Sequence, residues 1–144
     1  MNREIKFRGK LVNSKEWAEG NLCIRIDDTY IITPDDTILG KYGKVFKNTI
    51  GQYTGLHDEN GKEIYEGDII EFSYDVFTGN FDTKVGRGTI EFIDGAFYIK
   101  PFEIEGKKIK DTDTEEWFLL YTVNTDTLTV LGNVHENLEL LGGE

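Results

Sequence analysis

Apolar and polar side chains alternate through most of this chain, with the period of strands and not of helices. Ile5-Lys6-Phe7-Arg8 puts every second side chain on one side, as a half-buried strand does. Asn13-Ser14 marks a turn, and Glu16 to Leu22 returns as the second arm of a hairpin, with Gly20 at a bulge or close backbone approach. Leu22, Ile24 and Ile26 then share one face, with Cys23 and Arg25 on the other. Tyr30-Ile31-Ile32-Thr33 is a short strand stopped by Pro34-Asp35-Asp36, and residues 37–48 are glycine-punctuated without a clear period.

The middle of the chain is more explicit. Thr49 to Thr54 has strand character, and Asn60-Gly61 is a strong turn signal because both residues tolerate positive φ. After Glu63-Ile64-Tyr65-Glu66 and Gly67-Asp68, the strand Ile69 to Tyr74 carries Ile70, Phe72 and Tyr74 on one face. Asp75 to Asp82 has the composition of a loop, with Phe77 and Phe81 in it. Gly86-Arg87-Gly88 opens a strand that alternates through Thr89-Ile90-Glu91-Phe92, turns at Asp94-Gly95 and returns through Ala96 to Ile99. A charged excursion covers residues 103–116. Trp117 to Tyr121 fits a strand or a short helix, Leu128 to Gly132 a strand, and His135 to Leu141 one helical turn packing Leu138 and Leu141.

These elements predict a mostly β protein, with α+β as the alternative. Short bent strands with glycines at the corners suit a small SH3-like barrel in the C-terminal two-thirds, packed with an N-terminal β-layer. The expected division is residues 1–50 for the N-terminal β subdomain and 51–144 for the barrel subdomain, as one compact unit overall.

Composition narrows the function more than the fold. A chain of 144 residues buries roughly 70% of its unfolded surface and needs neither disulfide nor metal to fold. Sixteen basic against 27 acidic side chains give a net charge of −11, which repels phosphate and argues against non-specific nucleic-acid binding. Lys107-Lys108-Ile109-Lys110 is followed at once by Asp111, Asp113, Glu115 and Glu116, a self-neutralising solvated run. Cys23 is the single cysteine, so no internal disulfide forms, and a buried inert thiol is expected. The first residues lack the apolar stretch of a signal peptide, and no window is apolar enough to span a membrane. A cytoplasmic location is therefore expected.

Gln52-Tyr53-Thr54-Gly55-Leu56, then Asp58, Asn60-Gly61-Lys62 and Ile64-Tyr65-Glu66-Gly67-Asp68-Ile69, resembles the YopX family of phage and prophage proteins. Similarity extends to Ile5 to Gly9, Trp17 with Gly20, Gly88 to Phe92, Asp94 to Phe97 and Val130 to Val134. Glu136-Asn137-Leu138 departs from the family's frequent Glu-Asn-Pro, at the terminal turn only. The resemblance implies a fold with an SH3-type barrel and brings no catalytic residues with it.

Candidate chemistry is sparse. His57-Asp58-Glu59 has the residue types of a metal ligand set or general base, but in a turn it reads as a solvated loop. His135-Glu136 follows Gly132-Asn133, where capping is the plainer role. Asp27-Asp28, Asp35-Asp36 and Glu115-Glu116 are pairs that 27 acids generate by composition, and Asp111 to Glu116 lacks the glycine and distal glutamate of a calcium loop. There is no phosphate-cradling glycine motif and no nucleophile elbow. We therefore expect no catalytic residue, metal or cofactor, and a protein that binds a host or phage partner or its own copies. The candidate binding residues are Arg8, Gln52, Tyr53, Tyr65, Asp68, Phe77, Phe81 and Trp117. Asp68, Arg8, Gln52 and Tyr53 also suit bracing of the fold, and Phe77, Phe81 and Trp117 suit capping of the core. The alternatives are a nucleic-acid-directed role, through Lys41, Lys44, Lys47 and Arg87 or by acidic mimicry of DNA, and a small hydrolase using carboxylates.

Overall fold

The computed structural model describes residues 3–33, 41–109 and 117–142. The expected strand stop at Pro34-Asp35-Asp36 and the acidic run 111–116 lie outside the described residues. Chain contacts define two units, Met1–Gly55 and Leu56–Glu144, where the sequence puts a boundary at residues 50 and 51.

The first unit contains β1 (Phe7–Lys10), β2 (Trp17–Ile24), β3 (Thr29–Thr33), β4 (Lys41–Lys44) and most of β5 (Gly51–His57), in the antiparallel order β4-β3-β2-β1-β5. Ala18, Ile31 and Val45 form its core, with Phe7, Leu11, Leu22 and Ile50 against them. A fully buried aliphatic side chain such as Ile31 contributes roughly 1.5–3 kcal/mol. Gly9 lies tight against this packing, since a Cβ there would stand 3.0 Å from Val45 Cβ and the valine would have to shift by a few tenths of an ångström. Thr49 Oγ1 donates to the Phe46 carbonyl (2.6 Å) and accepts from the Lys10 amide (2.9 Å), fixing the single 3-10 turn Lys47–Thr49 to β1.

Two features differ from expectation: the strand that carries Leu22 and Ile24 ends before Ile26, and Cys23 is not fully buried. Ile24 and Ile26 are 74% and 99% exposed, because β2 ends at Ile24 and the chain turns over with the Arg25 amide donating to the Asp28 carbonyl (2.8 Å). The apolar alternation outlasts the core by two positions. Cys23 is half-buried opposite Tyr30, not fully buried.

In the second unit, β6 (Glu63–Tyr65) follows the last residues of β5 in sheet order. A further sheet has the order β10-β9-β8-β7-β12, from β7 (Asp68–Phe77), β8 (Phe81–Ile93), β9 (Ala96–Ile104), β10 (Lys107–Lys108) and β12 (Thr129–Asn133); β11 (Phe118–Leu119) also pairs with β9. The antiparallel strands are curled in a half-barrel, and the fold is all-β. The α+β alternative falls, since the described residues outside strands and loops form only 3-10 turns. Ile64, Ile70, Phe72, Ile90, Ile99, Leu120 and Leu128 make the core.

Glycines permit the tight curl. A Cβ on Gly88 would lie 2.7 Å from both Ile99 Cγ2 and the Lys100 carbonyl oxygen, beside the register shift between Arg87 and Gly88. Asp94 and Gly95 both have positive φ (50° and 85°), the mirror-image turn that matches strand twist, so the expected hairpin forms.

Three other segments differ from expectation. Residues 75–82 are not a loop: β7 and β8 stay in register from Ile69↔Thr89 to Phe77↔Phe81, leaving only Thr78-Gly79-Asn80 as the connection. Trp117 to Tyr121 is neither strand nor helix throughout, because the short β11 passes directly into a 3-10 turn at Leu120–Thr122. The terminal 3-10 turn Leu138–Leu141 forms, but Leu138 is 63% exposed since this turn lies outside the core cluster.

Candidate functional site

The buried carboxylates of the second unit are structural fasteners. Asp58 lies at the β5–β6 turn, where one carboxylate oxygen accepts from the Asn60 and Lys62 amides (2.9 Å each) and the other from the Val130 amide of β12 (3.0 Å). The Glu59 amide donates to the Leu128 carbonyl (2.9 Å), and Thr129 Oγ1 donates to the Glu59 carboxylate. His57-Asp58-Glu59 is thus not a solvated loop around Asp58, which is buried; a contact across 72 residues of sequence holds it. Burial pushes the Asp58 carboxyl up, but the Val130, Lys62 and Asn60 amides and the Lys62 charge outweigh it and hold the group below its ordinary value.

Asp68, also buried, accepts from the Tyr65 amide (2.8 Å) across the Gly67 turn, where Gly67 has φ of 91°. The Gly67 amide donates to the Ile90 carbonyl and its own carbonyl accepts from Val134, so this corner ties β7 to β8 and to the chain after β12. Tyr65 is buried, with its hydroxyl 3.3 Å from Glu63 Oε1.

In the first unit, Arg8 is buried and its guanidinium lies 4.7 Å from the centroid of the Trp17 ring, with Lys10 Nζ at 5.8 Å from the same ring. Tyr53 is buried beneath Lys6, whose Nζ is 5.0 Å from its ring centroid, and Gln52 is half-buried opposite Phe7. Arg8, Gln52 and Tyr53 thus come together on neighbouring strands, as do Tyr65 and Asp68 at the Gly67 corner.

Phe77 and Phe81 sit elsewhere, at the tip of a projecting ribbon. β12 pairs with β7 only as far as Glu71, and β9 with β8 only from Gly86. Between these limits and the tip, from Ser73↔Val85 to Phe77↔Phe81, the two strands pair with each other and with no other described strand. The rings of Phe77 and Phe81 lie 4.9 Å apart, and the residues are 65% and 79% exposed, so they do not cap the core. Thr83 Oγ1 donates to Asp75 (2.8 Å) on the same face. Trp117 is a third location: its ring meets Tyr98 edge-on (6.4 Å), with Lys100 Nζ at 5.3 Å from its centroid.

Two of the four cations considered for nucleic acid, Lys44 and Arg87, are engaged by acids. Lys44 contacts Asp28 (2.9 Å), and this hydrogen bond and charge raise its pKa, while Arg87 reaches Glu71 (3.3 Å). His135 belongs to a cap in which Asn133 Oδ1 accepts from the His135 and Glu136 amides (3.0 Å each). Among the described residues no group of three or more His, Cys, Asp or Glu side chains is placed to hold a metal. No described helix is long and apolar enough to cross a membrane.

Sequence reasoning missed the ribbon residues Thr83, Lys84 and Val85. The one signal was weak: Phe81, Thr83 and Val85 are residue types that favour strands, with charged Asp82 and Lys84 between them.

Comparison with known proteins follows from this geometry. A family model described as YopX protein matches residues 6–142. Among solved structures, the crystal structure of protein EF1440 from Enterococcus faecalis is similar at 25% sequence identity and a TM-score of 0.52, covering 96% of this chain and 98% of that chain. No curated protein matches.

Proposed function

The chain belongs to the YopX family, and from that premise we propose that it is a non-enzymatic phage or prophage accessory protein of the bacterial cytoplasm, working by binding a protein partner or its own copies. The observation that carries this reading is the ribbon tip, where Phe77 and Phe81 stay in water at 65% and 79% exposure. Exposed aromatics on a two-stranded projection suit a partner's pocket, since such anchors dominate interface energy. The carboxylates discussed above support the non-enzymatic part: Asp58 and Asp68 are spent on backbone amides, and Glu71 and Asp28 on cations. A net charge of −11 disfavours the nucleic-acid alternative.

The test is affinity capture from phage-infected cells with the wild type, with Phe77→Ser/Phe81→Ser and with Phe92→Ser as a control. A specific partner lost only with the double variant supports the reading. The same proteins recovered with all three baits, or none from a strictly monomeric bait, would overturn it.

A further inference from the structure

We infer that the edge of β7 at Ser73, Asp75 and Phe77 receives an extended segment of a protein partner as an added antiparallel strand, with a lysine or arginine of that segment opposite Asp75. This inference rests on the protein-partner half of the proposed function and names the partner's chemistry.

The phase of the hydrogen bonds shows which groups this edge offers. Near the root, the Val85 carbonyl accepts from the Glu105 amide (2.9 Å) and the Val85 amide donates to Glu105 Oε1 (3.1 Å). Val85 thus faces away from β7, and its register partner Ser73 faces away from β8. At the tip, the Thr78 amide donates to the Asn80 carbonyl across the turn (3.1 Å), in the same phase. The amides and carbonyls of Ser73, Asp75 and Phe77 therefore point outward, into the lane that β12 follows only as far as Glu71. Among the described residues nothing hydrogen-bonds to these six groups. The other edge of the ribbon differs, because Glu105 already engages both groups of Val85. A strand edge open over three outward residues is a template for another chain.

Side chains along the edge select the occupant. Ser73-Tyr74-Asp75-Val76-Phe77 carries a single charge, at its centre. Asp75 is exposed, and Thr83 Oγ1 donates to its Oδ1 (2.8 Å), which steadies the carboxylate on the ribbon without neutralising it. A second copy aligned antiparallel on all three outward residues would set Asp75 against Asp75, a like-charge pair. A partner cation at that position makes an opposite-charge pair instead, on a chain whose net charge of −11 draws basic segments toward it. Phe77 and Phe81 share the face of Asp75 and are 65% and 79% exposed. An apolar partner residue two positions before the cation stands opposite Phe77 and covers these rings.

The test is titration calorimetry and amide hydrogen exchange with a synthetic Leu-Val-Lys-Val-Thr peptide flanked by threonines. A second peptide has glutamate for the lysine, and a third is N-methylated at the lysine amide. The lysine peptide should bind the wild type and slow exchange at Ser73, Asp75 and Phe77. The glutamate peptide should bind about fivefold more weakly, and the methylated peptide should not bind. Asp75→Lys should reverse the preference between lysine and glutamate, and Asp75→Asn should level it, with circular dichroism as a check on folding. Failure of the lysine peptide to bind, or protection at Phe81 and Thr83 instead, overturns the inference, while the proposed function survives if a partner is still captured through Phe77 and Phe81. Equal affinity of the wild type for lysine and glutamate peptides overturns the choice of a cationic partner. Undiminished binding of the methylated peptide overturns the added strand.

Discussion

Strand β8 carries a phenylalanine near each end, and each faces a second phenylalanine on the neighbouring strand. Phe92 and Phe97 have ring centroids 4.9 Å apart and planes at 56°; Phe81 and Phe77 are also 4.9 Å apart, at 50°. The cross-strand contact is therefore nearly the same, yet the surroundings differ. Phe97 packs against the core of the second unit, while Phe77 and Phe81 lie beyond the last residue that the neighbouring strands cover. Ring geometry records only the local pairing of two strands. What lies under the rings decides whether the aromatic surface was removed from water by folding or is left for another molecule.

The same division runs along β7, and the largest expected effect lies on its rooted side. Phe72→Ala should cost about 3–5 kcal/mol in urea denaturation, because Phe72 is fully buried against Ile70, Ile90 and Ile99. Gly88→Ala should cost about 1–3 kcal/mol, since two of the three atoms its Cβ would meet belong to the Lys100 backbone carbonyl and cannot move aside.

Asp58→Asn should cost about 1–3 kcal/mol at neutral pH by disturbing a carboxylate that holds three amides. Its pH dependence has a definite sign. The folded carboxyl lies below its ordinary value of 3.8, so its contribution is complete above that pH and is lost as pH falls through the folded value. The wild type should therefore lose more stability than Asp58→Asn on acidification below pH 3.8, measured as the shift in urea midpoint. The smallest effect belongs to the tip: Phe77→Ala and Phe81→Ala should each stay within about 0.5 kcal/mol of the wild type. A large loss at the tip would erase the contrast between the two aromatic pairs.

Legibility of the sequence followed the same physical division. The hairpin at Asp94-Gly95 was readable because the turn chemistry is local and both arms alternate over a core. The ribbon was not, because beyond Tyr74 neither face of β7 has a core beneath it, and Asp75, Asp82 and Thr78-Gly79-Asn80 give the composition of a loop. Ile24 and Ile26 misled in the opposite direction, keeping the apolar pattern after the core had ended. Of the site candidates, Asp68 was readable as a corner residue because its amide partner is three residues away. Asp58 was not, since its decisive partner, Val130, is 72 positions distant and no periodicity links them.

Native-state hydrogen exchange along β7 and β8 in dilute solution tests most directly whether the core roots one half of this hairpin and leaves its tip to solvent. Dilute protein should show strong protection from Ile69 to Phe72 and from Gly88 to Ile90, with weak protection toward the tip. Uniform protection along both strands would contradict it.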